Sequence, residues 1–231
     1  MGGSRLNFST VAKVAAGAIV AAEVVAGLAD SSDDLLRPPG AGDEKDFLSK
    51  CIKCGRCIEA CPYQALYAQT GAFGAGIGAP TLNVRNQACR MCEDMPCIPV
   101  CPTGALEKLE TRNDIRMGLA VIDREHCIAI KGMRCEVCYR ACPLIDRAIT
   151  LDKRVRDNDY IHTVFEPIID VDACTGCGLC VERCVVTDPC VPIKIVRDRE
   201  DAIRQIEEEQ AKEISSAYGA SEGKWAPAGS Y

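Results

Sequence analysis

A chain of 231 residues, 48% of them apolar, can form one or two compact domains, yet only 5% of it is aromatic while 17 residues are cysteine; something other than large side chains must fill part of the interior. The formal charge of −6 argues against nucleic acid as a partner and favours proteins that present basic patches. Cysteine at this density leaves a disulfide framework, zinc sites or iron–sulfur clusters, and spacing has to choose among them.

Residues 1–29 differ from the rest. Val11 to Ala29 is rich in Ala and Val, carries only Lys13 and Glu23 as charges, and ends in Gly27-Leu28-Ala29 before Asp30, which reads as an export signal with a small-residue cleavage site. Glu23 interrupts the stretch and weakens it as a membrane span; an Ala-rich helix packed on the protein is the alternative. Ser4-Arg5-Leu6-Asn7-Phe8 is similar to the twin-arginine pattern for exporting folded proteins, with Leu6 in place of the second arginine. Residues 30–46 read as a polar linker punctuated by Pro and Gly.

From residue 47 to 197 one unit recurs four times: a tight cysteine group beside a short β-type run. Gly118–Ile122 and Pro167–Val171 precede the third and fourth groups, and Ala148–Leu151 and Ile193–Val196 follow them; all four are expected to be strands. A unit of strand, cysteine loop, short helix and strand is predicted, two units making a module. The fold class expected is α+β: two ferredoxin-like 2[4Fe–4S] modules in one compact unit with long loops, between an N-terminal signal-like segment and a C-terminal helix. That helix is predicted over 198–218, with Ile203, Ile206, Gln210, Ile214 and Tyr218 at spacings of three and four and Gly219 as its stop. Covering the protein's own surface is favoured for this stripe over docking a partner. Residues 219–231 read as a flexible tail.

The first group is Cys51-x2-Cys54-x2-Cys57-x3-Cys61-Pro62 and the fourth Cys174-x2-Cys177-x2-Cys180-x3-Cys184. The second, Cys89-x2-Cys92-x4-Cys97-x3-Cys101-Pro102, and the third, Cys127-x7-Cys135-x2-Cys138-x3-Cys142-Pro143, are the same motif with one gap lengthened. Three thiolates three residues apart on a tight loop can reach three irons of one cubane, while the fourth points to the neighbouring cluster. Structural zinc would leave the third cysteine of each triplet unused, and cysteines this crowded cannot all meet disulfide geometry. Sixteen cysteines are therefore candidate iron ligands for four [4Fe–4S] clusters. Two regular groups outside two stretched ones favour nested sharing: Cys184 with Cys51, Cys54 and Cys57; Cys61 with Cys174, Cys177 and Cys180; Cys142 with Cys89, Cys92 and Cys97; Cys101 with Cys127, Cys135 and Cys138.

Cys190, the cysteine left over, reads as a small buried hydrophobe. His126 precedes Cys127, but no ligand position is open to it, so a role at the surface or behind a ligand is expected. The glycines of 71–78 read as a connector rather than a nucleotide loop. Lys53, Arg56, Arg90, Arg134, Arg140 and Arg183 lie in or beside cysteine loops, where positive charge would raise a cluster's potential unless solvent simply hydrates it. No nucleophile–base constellation is evident, so no catalytic residue is assigned.

Beyond these motifs, Leu36-Arg37-Pro38-Pro39-Gly40-Ala41, the second group with its Met91, Glu93, Asp94 and Pro96, Arg116-Met117-Gly118-Leu119-Ala120-Val121, Arg134–Arg140 and Asp172–Gly178 resemble the ferredoxin-type proteins of the MauM/NapG group over residues 35–197. The resemblance implies an electron-transfer subunit without its own catalytic site, passing electrons from a membrane-bound ferredoxin-like, quinol-oxidising partner toward a periplasmic reductase such as nitrate reductase, or its cytochrome. It implies the periplasm or the periplasmic face of the membrane, with the cytoplasm as the alternative. Two other readings share the clusters: the iron–sulfur subunit of a hydrogenase or molybdoenzyme complex, and a maturation factor for a partner metalloenzyme.

Overall fold

The computed structural model describes residues 35–70, 76–156 and 159–219. The readings of residues 1–29 as an export signal and of 220–231 as a tail fall outside them, as does most of the 71–78 connector.

The chain enters through residues assigned above to a linker, and here the expectation is corrected. Leu36, Arg37 and Pro38 are buried, and helix α1 (Glu44–Lys50) starts inside the supposed linker, with Asp43 accepting the Lys45 N–H, acidic residues in its first turn and Lys50 in its last, the charge order a helix dipole favours. Pro and Gly turn the chain here rather than loosen it. Gly40 has φ +82°, and a side chain there would lie 2.4 Å from the Glu107 carbonyl oxygen; the Glu107 N–H in turn donates to Gly40 O at 2.8 Å. Arg37, 1% exposed, donates to Glu44 Oε1 at 2.6 Å and to Pro80 O at 3.1 Å, and its guanidinium lies 5.4 Å from the Phe47 ring centre. Arg197 from the far end of the domain pairs with the same Glu44, so one carboxylate neutralises two arginines and joins both ends of the chain.

After α2 (Arg56–Glu59), β1 (Leu66–Ala68) and β2 (Pro80–Leu82) form a two-stranded antiparallel sheet with Leu66 opposite Leu82. A 3₁₀ turn (Arg112–Asp114) leads to β3 (Leu119–Ile122), which pairs with β6 (Ile193–Val196) in the register Leu119–Val196 to Ile122–Ile193. Both strands were legible in the sequence. Helix α3 (Val137–Ala141) precedes β4 (Ile149–Arg156), and β4 pairs with β5 (Asp159–Ile169). This ribbon is longer than the runs read at its two ends, because pairing continues through the charged residues Asp152, Lys153 and Arg154. Buried Glu166 takes Arg124 and Arg154 as partners and ties the ribbon to the turn after β3. Helix α4 (Leu179–Arg183) and helix α5 (Arg199–Gly219) complete the mixed α/β fold.

Helix α5 covers the protein's own surface. Ala202 is fully buried and Ile203 and Ile206 pack on the core, while Gln210 is exposed; the side chains of Ile214 and Tyr218 lie outside the described ones. Arg199 donates to Gly118 O at 2.8 Å and Cys174 O at 3.0 Å, fastening the helix start beneath the fourth cysteine group. Among the described residues no helix is long and apolar enough to cross a membrane.

Candidate iron–sulfur sites

The cysteines come together in fours, in a pattern that overturns the nested sharing. Cys61 lines one cavity with Cys89, Cys92 and Cys97; Cys184 lines another with Cys127, Cys135 and Cys138; Cys142 lines a third with Cys174, Cys177 and Cys180. Cys57 faces Cys51 and Cys101, which leaves Cys51, Cys54, Cys57 and Cys101 as the fourth set. Groups one and two thus share ligands, as do groups three and four. The cause is the strand pairing. β1 and β2, which pair antiparallel, both lie between the first two groups, and Cys61 comes back onto the second. β3, ahead of group three, pairs with β6, which follows group four, and so encloses those two together. Gap lengths reflected local loop shape and carried no information about the partner.

Local backbone aims the sulfurs. Gly55 and Gly178, both at positive φ, cap the starts of α2 and α4, and these one-turn helices carry Cys57 and Cys180 inward. In groups three and four the fourth cysteine caps the helix end with the chain turning outward, Cys142 at ψ 125° after α3 and Cys184 at ψ 129° after α4, and so reaches the other set. Backbone N–H groups point at the sulfurs: Ala65 N–H to Cys61 at 3.4 Å, Leu144 to Cys142 and Val186 to Cys184. Donors of this kind stabilise a thiolate and tune the potential of whatever it ligates.

Burial disfavours the charged form of several of these cysteines. Burial pushes the Cys89, Cys97 and Cys138 thiols up to about 12 and Cys57 and Cys177 up to about 11; the neighbouring sulfurs add to the rise. Cys101 is the exception: burial acts to raise it, but the N–H groups of Leu106, Thr103 and Ala105 and the Thr103 hydroxyl together hold it below the ordinary thiol value. Four soft donors around a cavity with almost no polar lining suit an iron–sulfide core, whose positive irons would ionise the thiols on binding. In the three cavities above, the walls are mostly Pro, Ile, Leu, Val and Ala beside the four sulfurs, with Tyr63, Arg90 and Met95 in the first and Thr175 and two glycines in the third.

The two pairs of sites abut. The Cys89 N–H donates to Cys177 O at 3.0 Å and the Met117 N–H to Thr175 O at 3.0 Å. Arg85 donates to Val181 O at 2.7 Å and Cys184 O at 3.0 Å, capping α4, while Glu182 on that helix accepts the Ala88 N–H at 2.7 Å and pairs with Arg90 at 2.8 Å. Arg85 and Glu182 went unnoticed in the sequence, where nothing in their spacing marks them. Groups two and four therefore meet where the two pairs abut.

Other candidates fall out differently. Cys190 is exposed, not buried: Pro189 and Pro192 on either side keep it in a surface loop. His126 turns its ring to Asp123, with Nδ1 2.6 Å from Oδ2. Arg90, Arg134, Arg140 and Arg183 all pair with Glu182 or Glu136, so their charge is largely spent on carboxylates.

The 4Fe-4S dicluster domain matches this chain twice, at residues 50–105 and 126–187, boundaries that separate the same two pairs of groups; two dicluster matches with sixteen grouped cysteines fit four [4Fe–4S] clusters. Ferredoxin-type protein NapG of Escherichia coli is 46% identical over 184 residues, covering 77% of this chain and 80% of the relative. NapG of Haemophilus influenzae is 45% identical over 161 residues, 68% of this chain and 58% of the relative. The methylamine utilization ferredoxin-type protein MauM of Methylobacillus flagellatus is 42% identical over 163 residues, 69% and 68% of the two chains. With the cysteine sets, their apolar cavities and this breadth of likeness together, the chain belongs to the NapG/MauM group of ferredoxin-type iron–sulfur proteins.

Proposed function

We propose that the chain is a four-cluster electron relay, with no catalytic site of its own, between a membrane-bound ferredoxin-like quinol-oxidising partner and a periplasmic reductase of the nitrate reductase type or its cytochrome. When bound, each [4Fe–4S] cluster supplies a one-electron site. The protein's part is to hold the clusters through Cys51, Cys54, Cys57 and Cys101; Cys61, Cys89, Cys92 and Cys97; Cys142, Cys174, Cys177 and Cys180; and Cys127, Cys135, Cys138 and Cys184. It keeps water from the inner sites and sets their order. The observation that carries this reading is the Cys89–Cys177 hydrogen bond of 3.0 Å, which brings a cysteine of each inner set into backbone contact and supports one continuous row of four sites in the order group one, two, four, three.

The row has two accessible ends. Cys54 is exposed beside Ile52 at the group-one end, and Met133 and Val185 are exposed at the group-three end, where a donor and an acceptor could approach. The similarity to NapG supports nitrate reduction as the setting, and the export-like residues 1–29 support the periplasm. Protein prepared without oxygen is expected to contain about sixteen iron and sixteen acid-labile sulfide per chain; a content near half of that would remove the row and the relay with it.

A further inference from the structure

Asp123, His126 and Cys190 form a cluster that none of the four cysteine sets uses. The fold builds it deliberately close. β3 ends at Ile122 opposite Ile193 of β6, so Asp123, just past β3, meets the loop that carries Cys190, and its N–H donates to Pro192 O at 2.8 Å. Asp123 Oδ1 accepts the N–H groups of Glu125 at 2.9 Å and His126 at 3.3 Å, which fixes the carboxylate and turns Oδ2 outward. Oδ2 then lies 2.6 Å from His126 Nδ1 and 3.9 Å from Cys190 Sγ, and one donor atom from each residue falls within 4.8 Å of the others.

We propose that these three side chains bind a mononuclear divalent cation of the zinc class. A carboxylate, an imidazole and a thiolate are the three ligand types zinc takes, and a thiolate in the set disfavours magnesium and calcium. Bonds of about 2.0–2.3 Å in a tetrahedral shell hold donor atoms roughly 3.3–3.8 Å apart. The Cys190–Asp123 separation of 3.9 Å closes by a few tenths of an ångström to reach this range; the His126–Asp123 pair opens from hydrogen-bond distance by somewhat less than 1 Å, the motion expected when a cation replaces the shared proton. Asp123 and Cys190 also line an open groove of about 510 Å³ with Lys194, Glu208 and Glu209, so solvent can reach the site to complete the shell. Cys190 is exposed and the other two half-buried, which gives the ion an entry path.

The test uses the complete protein with its iron–sulfur clusters in place, equilibrated anaerobically against buffered free Zn²⁺ and analysed for zinc, iron and sulfide together. The native protein is expected to retain about one zinc per chain with iron unchanged. Cys190→Ser and His126→Gln, each with full iron content, should weaken zinc binding at least about tenfold. The proposal is overturned if the native protein takes up no zinc, if uptake comes only with loss of iron, or if both variants bind zinc as tightly as the native chain. His126→Gln answers the question independently should Cys190→Ser alter the loop.

Discussion

Two pairs of corresponding residues in groups one and four show what a single position contributes. Lys53 and Gly176 each follow the first cysteine by two residues and both adopt positive φ, 57° and 72°. Lysine is tolerated in the first case, whereas at Gly176 a side chain would meet the backbone of Gly118 at 2.5 Å. Gly55 and Gly178 differ in the same way: nothing lies within 4 Å of a Cβ at Gly55, but at Gly178 it would lie 2.3 Å from Val84. Gly55→Ala should therefore cost only the left-handed strain of about 1–2 kcal/mol, while Gly178→Ala adds a clash at the junction of the two modules and should cost clearly more. The rate at which the visible cluster absorbance bleaches in denaturant compares them directly; equal rates would mean that Val84 does not constrain the site. The sequence displays both glycines in the same motif and gives no sign of which one is locked, because the neighbour that locks it is almost a hundred residues away.

Secondary elements in this protein are short, and most of their stability comes from what they hold. β3 and β6 were legible because Leu119-Ala120-Val121-Ile122 and Ile193-Lys194-Ile195-Val196 are short runs rich in β-branched residues beside cysteine groups. The leading segment of residues 36–46 was misread because Pro, Gly and charge signal a loop, and nothing local announces that Arg37 is buried against a carboxylate. Glu44 is the key partner there, serving both Arg37 and Arg197. Removing it strands a guanidinium that is 1% exposed with only a carbonyl and the Phe47 ring for company. Glu44→Ala should destabilise the protein by about 3 kcal/mol or more, and the double change Arg37→Met with Glu44→Leu should recover much of that loss, since a buried ion pair stabilises little beyond an apolar pair of similar size. Thermal unfolding of the three proteins under identical cluster loading measures it; a double variant as weak as the single one would show that the arginine's other contacts matter more than its charge balance.

For the molecule as a whole, the four groups of cysteines were readable from spacing while the way the groups share cavities was not. Motif spacing reports how a loop wraps around one site; the sharing of fourth cysteines and the proposed order one, two, four, three depend on β1–β2, on β3–β6 and on the contact of Gly178 with Val84 across the junction. That order has a magnetic consequence. In fully reduced protein, neighbouring paramagnetic clusters broaden and split one another's resonance, an effect that falls steeply with distance. The site of Cys61, Cys89, Cys92 and Cys97 has two neighbours in the row, and the site of Cys127, Cys135, Cys138 and Cys184 is not one of them. Cys180→Ser, which targets the adjoining site of the second module, should sharpen the resonance of the Cys89-containing site, whereas Cys138→Ser, which targets the far end, should leave that resonance unchanged. Were Cys138→Ser to produce the sharpening instead, the two modules would meet through group three, and the row of sites would have to be drawn in the reverse sense.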